Sequence, residues 1–349
     1  MSKSSEDYLQ VLHLGDPAHT ATLLARAANE TGRAWRVLPL AQNPQTASPV
    51  AQTLGRTWRG AWWEARLWGA KLSRPRIHLH SAMALPHVGW ALGDYVLHLH
   101  GTDIRSRRYE PAYTNRIHDA VAHARQVFYS TPDLREHLTD WRPEARLIPV
   151  PVDLDCPAAN NPYRCKARST GSYVFFVSRW EAVKGGNTQV EAAKCLRARL
   201  PQSVALVGLQ WGDSQMMDAA RQAGVCLIPK LPGAQYRQVI RDAAACVGQT
   251  AGILSASELE ALAEDVPLIA PLNPSWYDAS HPSLVDVPVW GGTALDPLDS
   301  ETIAKLTLAA LQTPVSQRPL TRDWVQRFHS PTTALTGVLE GYRACLLYT

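Results

Sequence analysis

The segment Val174-Phe-Phe-Val-Ser-Arg179-Trp-Glu-Ala-Val-Lys184-Gly-Gly-Asn-Thr places two cations five residues apart, between an apolar run and a glycine pair that opens a helical pattern. An arginine at a strand end can grip phosphate oxygens bidentately, and a lysine adds a point charge. Free amides at a following helix N-terminus would complete a diphosphate site. The glycine spacing is not that of a Walker loop. The plainer alternative is a solvated basic loop. A second segment, Ala251-Gly252-Ile-Leu-Ser-Ala-Ser257-Glu258-Leu-Glu260-Ala-Leu-Ala-Glu-Asp-Val-Pro267, reads as a turn, a helix and the entry to a strand. A carboxylate such as Glu260 at the ligand edge of a sheet can accept both hydroxyls of a ribose. Alternatively, Glu258 and Glu260 only complement the helix dipole.

Two His-x-His pairs, His78/His80 and His98/His100, invite a metal assignment, because residues two apart share one face of a strand. Both pairs fall in predicted buried strands, and only Asp94 and Asp103 lie near them in sequence. The expectation is core histidines with satisfied hydrogen bonds, with His100 functional, and no metal site. Leu54–Leu72 holds four of the twelve tryptophans, with Trp58 and Trp62 one turn apart and Arg56, Arg59, Arg66 and Lys71 interspersed. A basic, tryptophan-rich helix can lie on an anionic membrane. The preferred reading packs its tryptophans on a sheet, and the same stretch could line a binding cleft.

These residues need a frame to hold them. Candidate strands are Leu9–Leu14, Trp35–Leu38, Arg76–His80, Tyr95–His100, Gln126–Ser130 and Arg146–Val150, then Tyr173–Ser178, Val204–Val207, Val225–Ile228, Ala244–Gly248, Pro267–Ala270 and Val287–Trp290. Helical periodicity fills the intervals at Thr20–Thr31, Asn115–Ala124, Asn187–Leu200 and Gln235–Ala243. Alternation of this kind predicts α/β architecture, with parallel sheets covered on both faces. The seam is expected within Asp155–Gly171, which is polar and turn-rich, and Gln312–Arg322 is a second irregular connection before a terminal helical pattern from Asp323. Ligands of such sheets bind beyond the carboxyl ends of the strands. Gly15-Asp16, His100-Gly101-Thr102-Asp103 and the stretch from Arg179 onward therefore matter most.

Length and composition agree. The 349 residues suit about two domains. A charge of +4, 46% hydrophobic and 19% charged residues describe an ordinary globular protein. They argue against a nucleic-acid binder dominated by phosphate contacts. The six cysteines are scattered with no Cys-x-x-Cys pair, so neither a disulfide framework nor a zinc ribbon is expected. No apolar run reaches the roughly 18 residues of a membrane span, and the N-terminus lacks a signal peptide's apolar stretch. A cytoplasmic location with reduced thiols is expected, with peripheral contact at the inner face of the membrane as the variant.

Phe-Val-Ser-Arg179-Trp-Glu-Ala-Val-Lys184-Gly and Ser-Glu-Leu-Glu260-Ala-Leu-Ala-Glu-Asp-Val-Pro-Leu-Ile-Ala resemble the two donor-site signatures of retaining GT-B glycosyltransferases of the group 1 family (GT4). Val-Leu-His-Leu-Gly15-Asp-Pro, Leu-His-Leu-His100-Gly-Thr-Asp103, Tyr-Ser-Thr-Pro-Asp-Leu, Ile-Pro-Val-Pro-Val-Asp153-Leu and the ending Trp324-Val-Gln-Arg-Phe-His-Ser follow in the family's order. The resemblance implies two doubly wound Rossmann-like domains facing a central cleft. They would be an acceptor-binding domain over 1–160, a nucleotide-sugar-binding domain over 161–322, and a closing helix over 323–349 that packs back toward the first.

It further implies Arg179 and Lys184 on the diphosphate, Glu260 on the ribose, His100 beside the donor sugar and reaction centre, and Gly15 at the first strand-to-helix turn. Asp16, His80, Gly101 and Asp103 would reach sugar or acceptor. No cofactor and no metal are implied. The nucleotide-diphospho-sugar, UDP- or GDP-linked, is a substrate, and a glycan, lipid-linked or small-molecule acceptor is its partner. One position departs: the family often carries a glutamate eight residues before Glu260, and Gly252 stands there. Backbone amides over Gly252, Ile253, Leu254 and Ser255 could serve instead. A degenerate nucleotide-binding homologue, or a sugar-nucleotide epimerase of similar layout, are the other readings. A dehydrogenase is disfavoured because no G-x-G-x-x-G follows the first strand.

Overall fold

The structure, a computed structural model, describes residues 10–40, 49–73, 75–89, 93–163, 172–292 and 299–346. The chain forms two compact units, Met1–Pro151 with Pro331–Thr349, and Val152–Ser330. The divisions thus fall at 151/152 and 330/331, where the sequence reading sets 160/161 and 322/323. The expected seam lies partly at 164–171, and the expected start of the first strand at Leu9, both outside the described residues.

The first unit runs β1 (Gln10–Leu14), α1 (Thr20–Glu30), β2 (Ala34–Leu38), α2 (Pro49–Lys71), β3 (Arg76–Leu79), β4 (Tyr95–Leu99), α3 (Thr114–His123), β5 (Gln126–Tyr129) and β6 (Arg146–Leu147). The strands pair parallel in the order β2-β1-β3-β4-β5-β6. In the second unit come β7 (Ser172–Phe176), α4 (Gly186–Arg199), β8 (Val204–Leu209), α5 (Ser214–Gln222), β9 (Val225–Ile228), α6 (Gly233–Arg241), β10 (Ala245–Val247), α7 (Ala256–Ala263), β11 (Leu268–Ile269), α8 (Ser300–Gln312) and α9 (Arg322–His329). Its sheet is parallel in the order β11-β10-β7-β8-β9. Helix α10 (Pro331–Leu346) belongs to the first unit. The terminal helical pattern is therefore two helices: Pro331 cannot continue α9 but suits the first turn of α10.

Eleven of the twelve expected strands form ladders within a few residues of their expected bounds. Val287–Trp290 does not. One bond ties it to the sheet, Trp290 N to Leu268 O at 2.8 Å. Pro288 has no N–H to offer, and Gly291 and Gly292 turn the chain away at positive φ.

Register fixes what each face of the first sheet presents. His13 pairs with His78 and His98 with Phe128, so these residues share a face. That face meets α1 and α10 through Leu24, Trp35, Phe128, Leu335, Val338 and Tyr342. The opposite face, with Leu12, Leu14, Leu79, Leu97 and Leu99, receives Trp63 and Leu67 of α2 and Ile117 and Val121 of α3. In the second unit, Val174 and Phe176 pack under α4 (Ala192, Ala193, Leu196) and α8 (Ile303, Ala304, Ala310). Burial of this kind, about 25 cal/mol per Å² of apolar surface, is what holds both sheets.

Candidate functional site

A cavity of about 660 Å³ opens at the carboxyl edge of the first sheet, lined among others by Gly15, Asp16, His80, His100, Gly101 and Asp103. All six first-unit residues expected to act therefore meet at one place, although 88 residues separate Gly15 from Asp103. Gly15 has φ +89, and a Cβ there would come within 3.3 Å of the His80 carbonyl. Only glycine lets β1 turn this close to its neighbour.

The two carboxylates are already engaged in holding their own loops. Asp16 accepts from the Thr22 amide at 3.1 Å and the Thr22 hydroxyl at 2.6 Å. Asp103 accepts from the Ala82 and Ile104 amides, each at 3.1 Å, and burial raises its pKa. Arg105 reaches from the loop after Gly101 to Asp133 at 2.6 Å.

Beneath the cavity lies a histidine array. His13 Nδ1 is 2.8 Å from His80 Nε2, and His80 Nδ1 is 2.9 Å from His100 Nε2. His100 Nδ1 is 2.8 Å from Ser130 Oγ, which lies 3.1 Å from His98 Nε2. His78 Nδ1 contacts the Tyr342 hydroxyl of α10 at 2.7 Å. Each link between neutral rings needs one N–H and one lone pair, so the chain runs in a single sense.

Both ring nitrogens of His100 are thus used inside the protein, which leaves its backbone and ring edge for the cavity. The expectation of satisfied core histidines in the two His-x-His pairs is corrected at two atoms, His78 Nε2 and His98 Nδ1, which are buried without a hydrogen-bond partner, as is Nε2 of His13. Burial pushes His13 and His100 down to about 3. His78, His80 and His98 fall well below 6.5, through burial first and then repulsion among the rings.

Nitrogens of His13/His78/His80, and of His80/His98/His100, approach within 4.8 Å in each triad. However, the His78 and His80 rings stack at 4.6 Å with planes 11° apart. Imidazole lone pairs lie in the ring plane, so stacked rings do not converge on one tetrahedral ion without rotating.

The second unit gathers its residues at its own carboxyl edge. Trp180 is fully buried, its indole N–H donating to Leu209 O at 3.0 Å, and this fixes the backbone beside Arg179. Arg179 pairs with Glu181 at 3.1 Å and lies over the Trp211 ring, which Lys230 covers at 4.1 Å. Lys184 Nζ donates to Gln249 Oε1 at 3.0 Å, and Gln249 Nε2 donates to Ser255 Oγ at 3.0 Å. Sequence distance hid this link, which ties the Lys184 loop to the turn before α7. Gly185, at φ +70, opens α4, and a Cβ there would collide with Thr250 Oγ1.

Glu258 is wholly buried and closes a capping box with Ser255. Of the four backbone positions expected to offer amides, Leu254 N already donates to the Tyr277 hydroxyl at 2.7 Å, and Ser255 N to Glu258 at 3.0 Å. Gly252, at φ +82, would place a Cβ 3.0 Å from Asn273 Cβ. Ile253 is buried. Glu260 lies 3.9 Å from Arg237, and desolvation pushes it up to about 7 against that cation. Trp211, Lys230, Gln249, Thr250 and Tyr277 were not found by sequence reasoning. Gln249 and Thr250, directly after the expected strand Ala244–Gly248, and Lys230, two residues past Val225–Ile228, carried the strand-end signal, as did Trp211 just past β8; Tyr277 carried none.

Helix α2 bears out the preferred reading of its tryptophans for Trp63 and corrects it for the other three. Trp63 packs inward, with its indole N–H on Pro39 O at 2.8 Å. Trp58, Trp62 and Trp68 are exposed. Among the described residues no helix is long and apolar enough to cross a membrane.

No protein-family model and no curated protein matches the chain. Solved structures match it along nearly its whole length. A sucrose-phosphate synthase from Thermosynechococcus elongatus is 18% identical with a TM-score of 0.65, covering 97% of this chain and 100% of its own. A UDP-forming trehalose-phosphate synthase from Burkholderia xenovorans is 12% identical with a TM-score of 0.67, covering 96% and 99%. The HepE protein of Anabaena, solved with UDP and glucose, is 14% identical with a TM-score of 0.60, covering 96% and 99%. Likeness at this identity carries the fold: two parallel-sheet α/β domains of the GT-B kind.

Proposed function

We propose that the chain is a glycosyltransferase that moves a sugar from a nucleotide-diphospho-sugar to a glycan, lipid-linked or small-molecule acceptor, with retention and without a metal, as the group 1 family does. The observation that carries the reading is the second-unit edge. There Lys184 docks on Gln249, two cations flank Trp211, and the α4 N-terminus opens at Gly185. The barrier to transfer is charge separation as the nucleoside diphosphate leaves. Preorganised Arg179, Lys184 and helix-end amides stabilise that charge more in the transition state than in the ground state. Glu260 takes the ribose, and the first-unit cavity takes the acceptor, with Gly101, His100 and Asp103 on its wall. A UDP-linked donor comes first, by likeness to the Anabaena protein solved with UDP. A cytoplasmic location, where nucleotide-sugars are made, goes with this reading.

A nucleotide-binding homologue without transfer is the second reading, favoured by the internal engagement of the Leu254 and Ser255 amides. The test is a thermal-shift and calorimetric screen of UDP-, GDP-, ADP- and CMP-sugars against the wild type, Arg179→Ala and Lys184→Ala. Ligand at about 100 times its Kd stabilises by about 2.7 kcal/mol. Loss of a charge-assisted contact removes about 1.5–3 kcal/mol, roughly 10- to 100-fold in Kd. Unchanged affinity in both variants would refute the phosphate site. Donor binding without release of free nucleoside diphosphate, with any acceptor class, would favour the second reading.

A further inference from the structure

We propose that α2 is a docking helix that lays a tryptophan face on an anionic lipid surface. At 100° per residue, Trp58, Ala61, Trp62, Ala65, Trp68 and Leu72 fall within one sector of roughly 120°, and all six are exposed. The tryptophans are 76%, 63% and 55% exposed and Leu72 is 86% exposed, while Trp63 and Leu67 on the opposite face are buried in the core. The helix is therefore apolar on two sides, and among the described residues the core takes up the Trp63 and Leu67 side while the other side stays exposed. Three tryptophans on one exposed helix face make a patch that an aqueous surface rarely carries without a partner. Indole, with an apolar body and one N–H donor, suits the boundary between acyl chains and headgroups.

Charge selects the occupant. Residues 49–76 hold Arg56, Arg59, Arg66, Lys71, Arg74 and Arg76 against one acid, Glu64, an excess of five, whereas the whole chain carries +4. The rest of the protein is thus net negative by one, and the positive charge is concentrated in this stretch of the sequence; among the described residues, Arg66 borders the tryptophan sector and Lys71 Nζ lies 5.9 Å from the Trp68 ring. A second copy would bring like charge against like charge, whereas phosphatidylglycerol or another anionic lipid complements it. The proposal does not depend on the transfer chemistry, and its test contains no nucleotide.

The full chain is sedimented with vesicles of phosphatidylcholine containing about a third phosphatidylglycerol, and with phosphatidylcholine alone, at low and high salt. Binding is expected to the anionic vesicles, weakened about tenfold or more by high salt, by neutral vesicles, or by the combined Trp58→Ser, Trp62→Ser and Trp68→Ser substitutions. Because these side chains are exposed, the variant should melt at the wild-type temperature, which far-UV dichroism checks. Three results would each overturn the proposal. One is absence of co-sedimentation at ~1 mM lipid. Another is undiminished binding by the variant. The third is a concentration-dependent dimer in light scattering that the variant abolishes, which would make the face a self-association surface.

Discussion

Lowering the pH should selectively undo the first unit, because its histidines are folded as neutral rings. An unfolded histidine titrates near 6.5, and His13 in the fold is pushed down to about 3. Between those values the unfolded chain binds a proton that the folded one refuses, so stability rises with pH and is lost as pH falls below about 6.5. The slope is about 1.4 kcal/mol per pH unit for each such ring. His13 alone then costs about 2 kcal/mol between pH 7 and pH 5, a sizeable share of the 5–15 kcal/mol that holds a domain. His78, His80 and His98 are equally buried and act in the same direction. His100, also pushed down to about 3, acts in the same direction.

Urea unfolding followed by far-UV dichroism at pH 7, 6 and 5 reads this directly, with two transitions allowed for two units. The acid-labile transition should lose stability between pH 6 and 5 with a slope worth several protons, and His98→Leu should remove about one of them. A slope below about 1.4 kcal/mol per pH unit would refute the neutral, buried array.

The other predictions address single contacts. Trp63→Ala should cost about 3–5 kcal/mol in chemical unfolding, because it empties a core site and strands the Pro39 carbonyl. Trp58→Ala, by contrast, should stay within about 0.5 kcal/mol; equal costs would mean that α2 is turned about its axis. Glu260 is raised from 4.5 to about 7, so the fold holds a proton that the unfolded chain has released, and this contribution fades as pH rises through 7. Glu260→Gln should flatten that fall and weaken uridine nucleotide binding above pH 7; an unchanged pH profile would remove Glu260 as its source. Gly185→Ala should lower stability and nucleotide affinity together, since a methyl group there meets Thr250. Wild-type calorimetry in that variant would show that the α4 entry has room to spare.

Much of this was legible in the chain itself. Apolar runs spaced by helical periods gave the alternation that only parallel sheets satisfy. The placement of Arg179, Lys184 and Gly15 beyond strand ends was legible from position along the chain alone, and that placement is what makes them candidates for a ligand site. Val287–Trp290 misled for the converse reason: a β-branched run scores as a strand, but Pro288 and two glycines decide how it can bond.

What the chain could not give was which side chains meet. His13 lies on β1, His80 and His100 directly follow β3 and β4, and only parallel register brings their ring nitrogens within hydrogen-bond distance. Gln249 reaches Lys184 only because β10 lies beside β7. The outward turn of Trp58 and Trp62 was likewise undecidable from spacing, since an amphipathic helix with apolar residues on both sides has two candidate inner faces. The residue pattern determined the elements and their ligand edge. Packing alone chose the register and the rotation of each helix, because these depend on which of several apolar faces buries best.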